Sequence, residues 1–180
     1  ILDITCVPDG AEIELDGSTA GTGSGLTIHI NDCLIRGLAI NRFASSGITI
    51  DIGSKRNTIA GCYIGMDPSG TIAQGNGYAG VNIDSAAQSN VIGGASPADR
   101  NVISGSGYGV RIGGSGSSLN SVLGNYLGTD ASGSVARANS TGVVLDVGAS
   151  SNRVGGTTSA ERNVISGNGL HGVWIRGAGT

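Results

Sequence analysis

Residues 57–119 and 120–180 are two copies of one pattern, and that repetition limits the possible folds more than any other feature of the chain. Asn57, Gly61, Tyr63, Gly65, Asp67, Ser69 and Gly70 recur as Asn120, Gly124, Tyr126, Gly128, Asp130, Ser132 and Gly133. Farther on, Arg100-Asn101-Val102-Ile103-Ser104-Gly105 recurs as Arg162-Asn163-Val164-Ile165-Ser166-Gly167. A fixed period marks an array whose units bury their apolar faces only by stacking on each other.

Each copy divides again. Asn57, Asn90, Asn120 and Asn152 all stand two residues before an Ile or Val, and Leu26 is read as holding the same place in an earlier unit. The unit is therefore roughly 30 residues. Three short runs in each unit alternate apolar with other residues, the period of a strand, and no run has helical spacing. The first supplies Ile28, Ile59, Ile92, Val122 and Val154; the second Ile35, Ile64, Ile103, Leu127 and Ile165. The third supplies pairs, from Ile13/Leu15 and Ile48/Ile50 through Val81/Ile83 to Val173/Ile175.

Three strands per unit, repeated in register, predict an all-β parallel β-helix whose coils stack at about 4.8 Å. The 34 glycines fit a chain that turns three sharp corners per coil. Asn57, Asn90, Asn120 and Asn152 are placed to hydrogen-bond their counterparts in a ladder. Loops alternate: units opening at Asn57 and Asn120 insert one before the third strand, and units opening at Asn90 and Asn152 insert a shorter one before the second. We read one domain over 1–180, with N-terminal coils in 1–56 and a two-coil repeat at 57–119 and 120–180, as a piece of a longer protein.

Composition excludes several classes. The net charge is −3 with ten basic residues scattered along the chain, so no basic stripe exists for nucleic acid. No stretch is apolar for long enough to span a membrane. Only 3% of residues are aromatic, too few for a wide ring-lined sugar cleft.

The runs Tyr63-Ile64-Gly65-Met66-Asp67-Pro68-Ser69-Gly70, Arg100–Gly105 and Leu34-Ile35-Arg36-Gly37-Leu38-Ala39-Ile40-Asn41-Arg42-Phe43 resemble the repeats of large bacterial surface and secreted proteins with pectin-lyase-like β-helices. The resemblance covers nearly the whole chain. It implies a right-handed, single-stranded solenoid, an extracellular or cell-surface location, and either an adhesin-like or a polysaccharide-active role. The Asn-Thr-Asp, Asp-Asp and Gly-His-Gly signatures of polygalacturonase-type hydrolases are absent. Gly172-Val173-Trp174-Ile175 is similar to a pectate lyase strand but runs into Arg176-Gly177, and Asp67-Pro68 is similar to an epimerase motif but precedes Ser69.

For chemistry, Asp16, Asp51, Asp84 and Asp146 are read as one column after the third strand, with Gly113 and Arg176 in that place elsewhere. Stacked carboxylates repel, raise one another's pKa and suit acid/base work, whereas Asp at a corner equally serves to accept backbone N–H bonds. Asp51, Asp84 and Arg111 are the catalytic candidates. Asp16, Asp146, His171, Trp174 and Arg176 are the candidates for holding a ligand. Cys33 and Cys62 are read, with Cys6, at the azimuth that later coils fill with Asn101, Asn125 and Asn163. Either a Cys33–Cys62 disulfide or small thiols packed in a tight column satisfies that placement. No cofactor is implied, with calcium as the one alternative; the nearest match to a calcium nonapeptide, Gly113-Gly114-Ser115-Gly116-Ser117-Ser118, lacks its acid. The expected role is a non-catalytic structural or adhesive rod segment that binds polysaccharide or a cell surface and self-associates head to tail. The alternative is a lyase, hydrolase or epimerase acting on acidic glycans.

Overall fold

The computed structural model describes residues 2–3 and 13–177. Their strands form three six-stranded parallel sheets. Sheet A holds Leu2–Asp3, Leu34–Arg36, Thr58–Ala60, Val91–Gly93, Ser121–Leu123 and Arg153–Val154. Sheet B holds Ile13–Asp16, Leu38–Asn41, Tyr63–Ile64, Val102–Ile103, Tyr126–Leu127 and Val164–Ile165. Sheet C holds Leu26–Ile28, Ile48–Ile50, Ala79–Ile83, Tyr108–Ile112, Thr141–Leu145 and His171–Ile175. The chain visits A, B and C in turn and then starts the next coil, so every strand pairs with its counterpart one coil away. The fold is a right-handed, single-stranded parallel β-helix.

Alternation explains the interior. On sheet C, Ile50, Ile83 and Ile112 stand in one inward row and are fully buried, while Thr49, Asn82 and Arg111 between them face out. Ile59, Ile92 and Val122 make the matching row on sheet A, and Ile40, Ile64, Ile103 and Leu127 the row on sheet B. Branched aliphatics suit this position because their stiff side chains pack on like neighbours at strand spacing.

Corners need their own hydrogen bonds, since the ladder of each sheet stops there. At the C-to-A corner, the backbone N–H and Nδ2 of Asn57 both donate to Oδ1 of Asn90, which repeats the pair to Asn120, and that to Asn152. Each Asn follows a residue with positive φ: Arg56, Ser89, Leu119 or Ser151. A second ladder at the A-to-B corner runs Asn101, Asn125, Asn163 in the same geometry. A third, at the B-to-C corner, runs Asn76, Ser106, Asn139, Asn168, with the Ser106 hydroxyl standing in for one amide.

The loops account for the two-coil period. Coils three and five carry a long loop at the B-to-C corner, and the loops touch across coil four: Ala131 N donates to Gly70 O at 2.9 Å, and Arg137 Nε to Thr71 O at 2.6 Å. Coils four and six instead carry short 3-10 turns, Pro97–Asp99 and Ser159–Glu161, at the A-to-B corner. Arg36 on coil two reaches over coil three to Ala98 O at 3.0 Å and to the Asp99 carboxylate. A loop larger than one coil spacing needs a tight corner beneath it, so large and small corners alternate.

The N-terminal coils correct the sequence register. Leu26–Ile28 belongs to sheet C against Ile48–Ile50, not to the first strand, and Ile35 pairs with Ile59 on sheet A. Ile13–Asp16 lies on sheet B against Leu38–Asn41. These coils lack the Asn signposts, and their short aliphatic runs are interchangeable to a period-two reading.

Candidate functional site

Sheet C presents the longest outer face, because its strands are five residues long in coils three to six. Its central outward row is Thr27, Thr49, Asn82, Arg111, Val144 and Trp174. Glu14 is not part of it; Glu14 lies on sheet B beside Ala39.

Just past these strands runs a second row, in which Asp51, Asp84, Gly113, Asp146 and Arg176 each donate a backbone N–H to a carbonyl of the preceding coil. The corresponding place in the first coil is His29, whose Nε2 is 2.8 Å from Asp51 Oδ1. Asp16 is not in the row. It sits on sheet B with Arg42, its carboxyl held below the ordinary value by the Ser18 N–H and by Arg42.

The row is not a stack of repelling carboxylates. Arg111 comes from the neighbouring row and lays its guanidinium across the gap at Gly113, where any Cβ would overlap Nη2. From there Nη1 meets Asp84 Oδ2 at 2.6 Å and Asn82 Oδ1 at 3.0 Å, and Nε meets Asp146 Oδ2 at 3.3 Å. Arg176 Nη2 donates to the same Asp146 Oδ2 at 3.0 Å. From Asp84 to Arg176 the charges alternate along the axis, and in this row only Asp51 and Asp84 stand as neighbouring acids. The Asp146 side chain is 5% exposed and the Arg111 side chain 11%. Burial works against the Arg111 charge, but the Asp84 hydrogen bond and its acidic surroundings outweigh it and hold the guanidinium above the ordinary arginine value. Such a group is a permanent cation, not a base.

Tyr78, Tyr108 and Trp174 collect on one side of this network. Tyr78 and Tyr108, on adjacent coils, meet edge to face at 5.5 Å. Burial pushes the Tyr78 phenol above its usual value. His171 stacks on Trp174 at 4.9 Å and 18°, and the Arg176 guanidinium lies 4.2 Å from the same indole centroid. His171 and Arg176 thus both lie against the indole of Trp174. The candidates Arg111, Asp84, Asp146, Arg176, His171 and Trp174 are thus assembled together, with Asp51 farther along the row and Asp16 on another sheet.

Sequence reading missed Tyr78 and Tyr108, which fall at the edge of the strand pattern. The recurring Gly-Tyr of Gly77-Tyr78 and Gly107-Tyr108 was the available signal. It also misplaced one cysteine. Cys62 heads the Asn101 ladder, donating its backbone N–H to Asn101 Oδ1 at 2.9 Å, whereas Cys33 heads the Asn57 ladder at a different corner. The two are not bonded to each other, and their corners explain why. Cys6 lies outside the described residues.

Asp67 and Asp130, the acids of the epimerase-like motif, are consumed within their loops. Asp67 accepts from the Ser69 hydroxyl at 2.6 Å and from the N–H groups of Thr71 and Ile72; Asp130 accepts from Ser132 at 2.6 Å and from the Val135 N–H. Among the described residues no group of three or more His, Cys, Asp and Glu side chains is placed to hold a metal, and no helix is long and apolar enough to cross a membrane. No described family, curated protein or solved structure matches the chain.

Proposed function

We propose that this chain is a segment of an extracellular or cell-surface rod that binds glycan on the sheet C side and performs no chemistry on it. The repeats resemble those of pectin-lyase-like bacterial surface proteins, and that resemblance supports the location. One observation carries the non-catalytic reading: Asp84 is engaged by Arg111 and Asp146 by both Arg111 and Arg176, while Asp51 has the His29 imidazole 2.8 Å away. Glycoside hydrolysis needs two carboxyl groups flanking open space, one able to hold a proton. The Arg111 guanidinium wedged between Asp84 and Asp146 is hydrogen-bonded to both and fills the space a glycosidic bond would need.

Regular stacking supports the rod. The inward row of the last described coil is open, with Val173 43% and Ile175 61% exposed, and a parallel sheet edge beside it accepts another coil. The enzymatic alternative, cleavage or epimerisation of an acidic glycan at Arg111 and Asp84, makes the opposite prediction for one pair of variants. Asp51→Ala and Asp84→Ala, assayed for glycan retention and for product, keep retention under the rod reading. Turnover by the parent chain that either change abolishes would establish the enzyme instead.

A further inference from the structure

We propose that the corner between sheets B and C carries a groove for a neutral glycan; this rests on the glycan-binding reading above and adds both the place and the ligand class. Two adjoining depressions share Gly77, Gly107 and Ser140 and together pass from coil three to coil six. Three coil steps of about 4.8 Å make a trough about 14 Å long, parallel to the solenoid axis. Its ring-lined part has a volume of about 290 Å³ and is walled by Tyr78, Tyr108, Leu170 and Trp174. Its floor is made of small residues and of the third corner ladder, Asn76, Ser106 and Asn139.

The floor is low for a structural reason. A Cβ at Gly107 would stand 2.6 Å from the carbonyl oxygen of Tyr78 on the coil below. Glycine here lets the coils close up and, as a consequence, leaves a channel beside the tyrosines.

Charge decides the ligand class. No Asp, Glu, Lys, Arg or His lines either depression. The nearest guanidinium groups, Arg111 and Arg176, are already engaged by Asp84 and Asp146. A uronate would therefore lose hydration without gaining an unpaired cation, which is a net cost. A neutral sugar loses little: its C–H faces pack on ring edges and on exposed Leu170, and its hydroxyls meet the exposed Ser140 hydroxyl. A trough about 14 Å long and parallel to the axis suits a chain of several sugars better than a single compact ligand.

The experiment is a binding array of neutral oligosaccharides (glucan, mannan, xylan and galactan fragments) beside acidic ones (galacturonan, alginate and hyaluronan fragments). Calorimetry on the strongest binder follows, with variants confirmed folded by their thermal melts. We expect a neutral fragment to bind, Ser140→Trp to block the trough, and Tyr78→Ala to remove a wall. Each change weakens binding by about tenfold or more, equivalent to about 1.4 kcal/mol. Ala95→Trp, in the loop between sheets A and B, leaves it unchanged. Preference for acidic fragments, or neutral binding indifferent to both groove variants, overturns the groove while leaving glycan binding intact. Retention of no fragment at all sinks both.

Discussion

Individual side chains at the corners of this solenoid do more than fill turns. Asn120 is the clearest case. Its Oδ1 accepts two bonds from Asn90, and its Nδ2 donates to Ala87 O and to Asn152 Oδ1, all at 2.9–3.0 Å. Its side chain is fully buried. Asn120→Ala strands the Asn90 donors and the Ala87 carbonyl without water to replace their partner. Urea unfolding should register a loss of about 2–4 kcal/mol, since each buried polar group left unpaired costs about 1–3 kcal/mol. A loss under half a kilocalorie would mean that water replaces the ladder. The Arg111 site makes a related prediction. Gly113→Ala displaces the guanidinium from Asp84 and Asp146, and the same assay should show a drop of about 2–4 kcal/mol, near the lower end of what breaking a buried pair costs because Asp84 is partly solvated. Strain can also be relieved. Val147 is a β-branched residue at φ 37°, 60% exposed, and Val147→Asn should raise stability by about 1 kcal/mol because Asn tolerates the left-handed region.

Single elements titrate as well as pack. The twin loops and the second 3-10 turn are each tied by one acid held below the ordinary carboxylate value. For Asp67, hydrogen bonds from Ser69, Ile72 and Thr71 outweigh burial; for Asp130, the Ser132 hydroxyl leads; for Glu161, the Thr158 N–H leads. A depressed folded pKa gives stability that is complete above the unfolded value, near pH 4, and is lost as pH falls from there through the folded value. Stability measured against pH should therefore decline below about pH 4, and Asp130→Asn should make that decline shallower. An unchanged acid limb would remove Asp130 from the account. The same elements show how much the sequence could disclose. Identical residues at fixed intervals made the strand order, the Asn57 ladder and the alternation of loops readable from residue 57 onward. Before residue 57 the ladder position holds Cys33 rather than an Asn, so Ile13–Asp16 and Leu26–Ile28 could not be assigned to their sheets, and Asp16 and Cys33 were misplaced with them. Arg111 was legible as a neighbour of Asp84. Its position over Gly113 was not, because it depends on a missing side chain in the adjacent row.

At the scale of the whole molecule, stability resides in contacts between successive coils, so a defect in one coil is felt mainly by the two it touches. The open inward row at Val173 and Ile175 is the one large apolar strip left on the last described coil. If the chain self-associates through it, Val173→Lys should abolish concentration-dependent growth in light scattering. Persistence of that growth would place the contact elsewhere. The central claim, however, concerns chemistry. The most direct test is to incubate the protein with a panel of acidic and neutral polysaccharides, following retention on each together with unsaturated products and new reducing ends. The account predicts retention on at least one polysaccharide with no product on any. Product on a single substrate, lost in Asp84→Ala, would contradict it and make the arginine-filled row an active site.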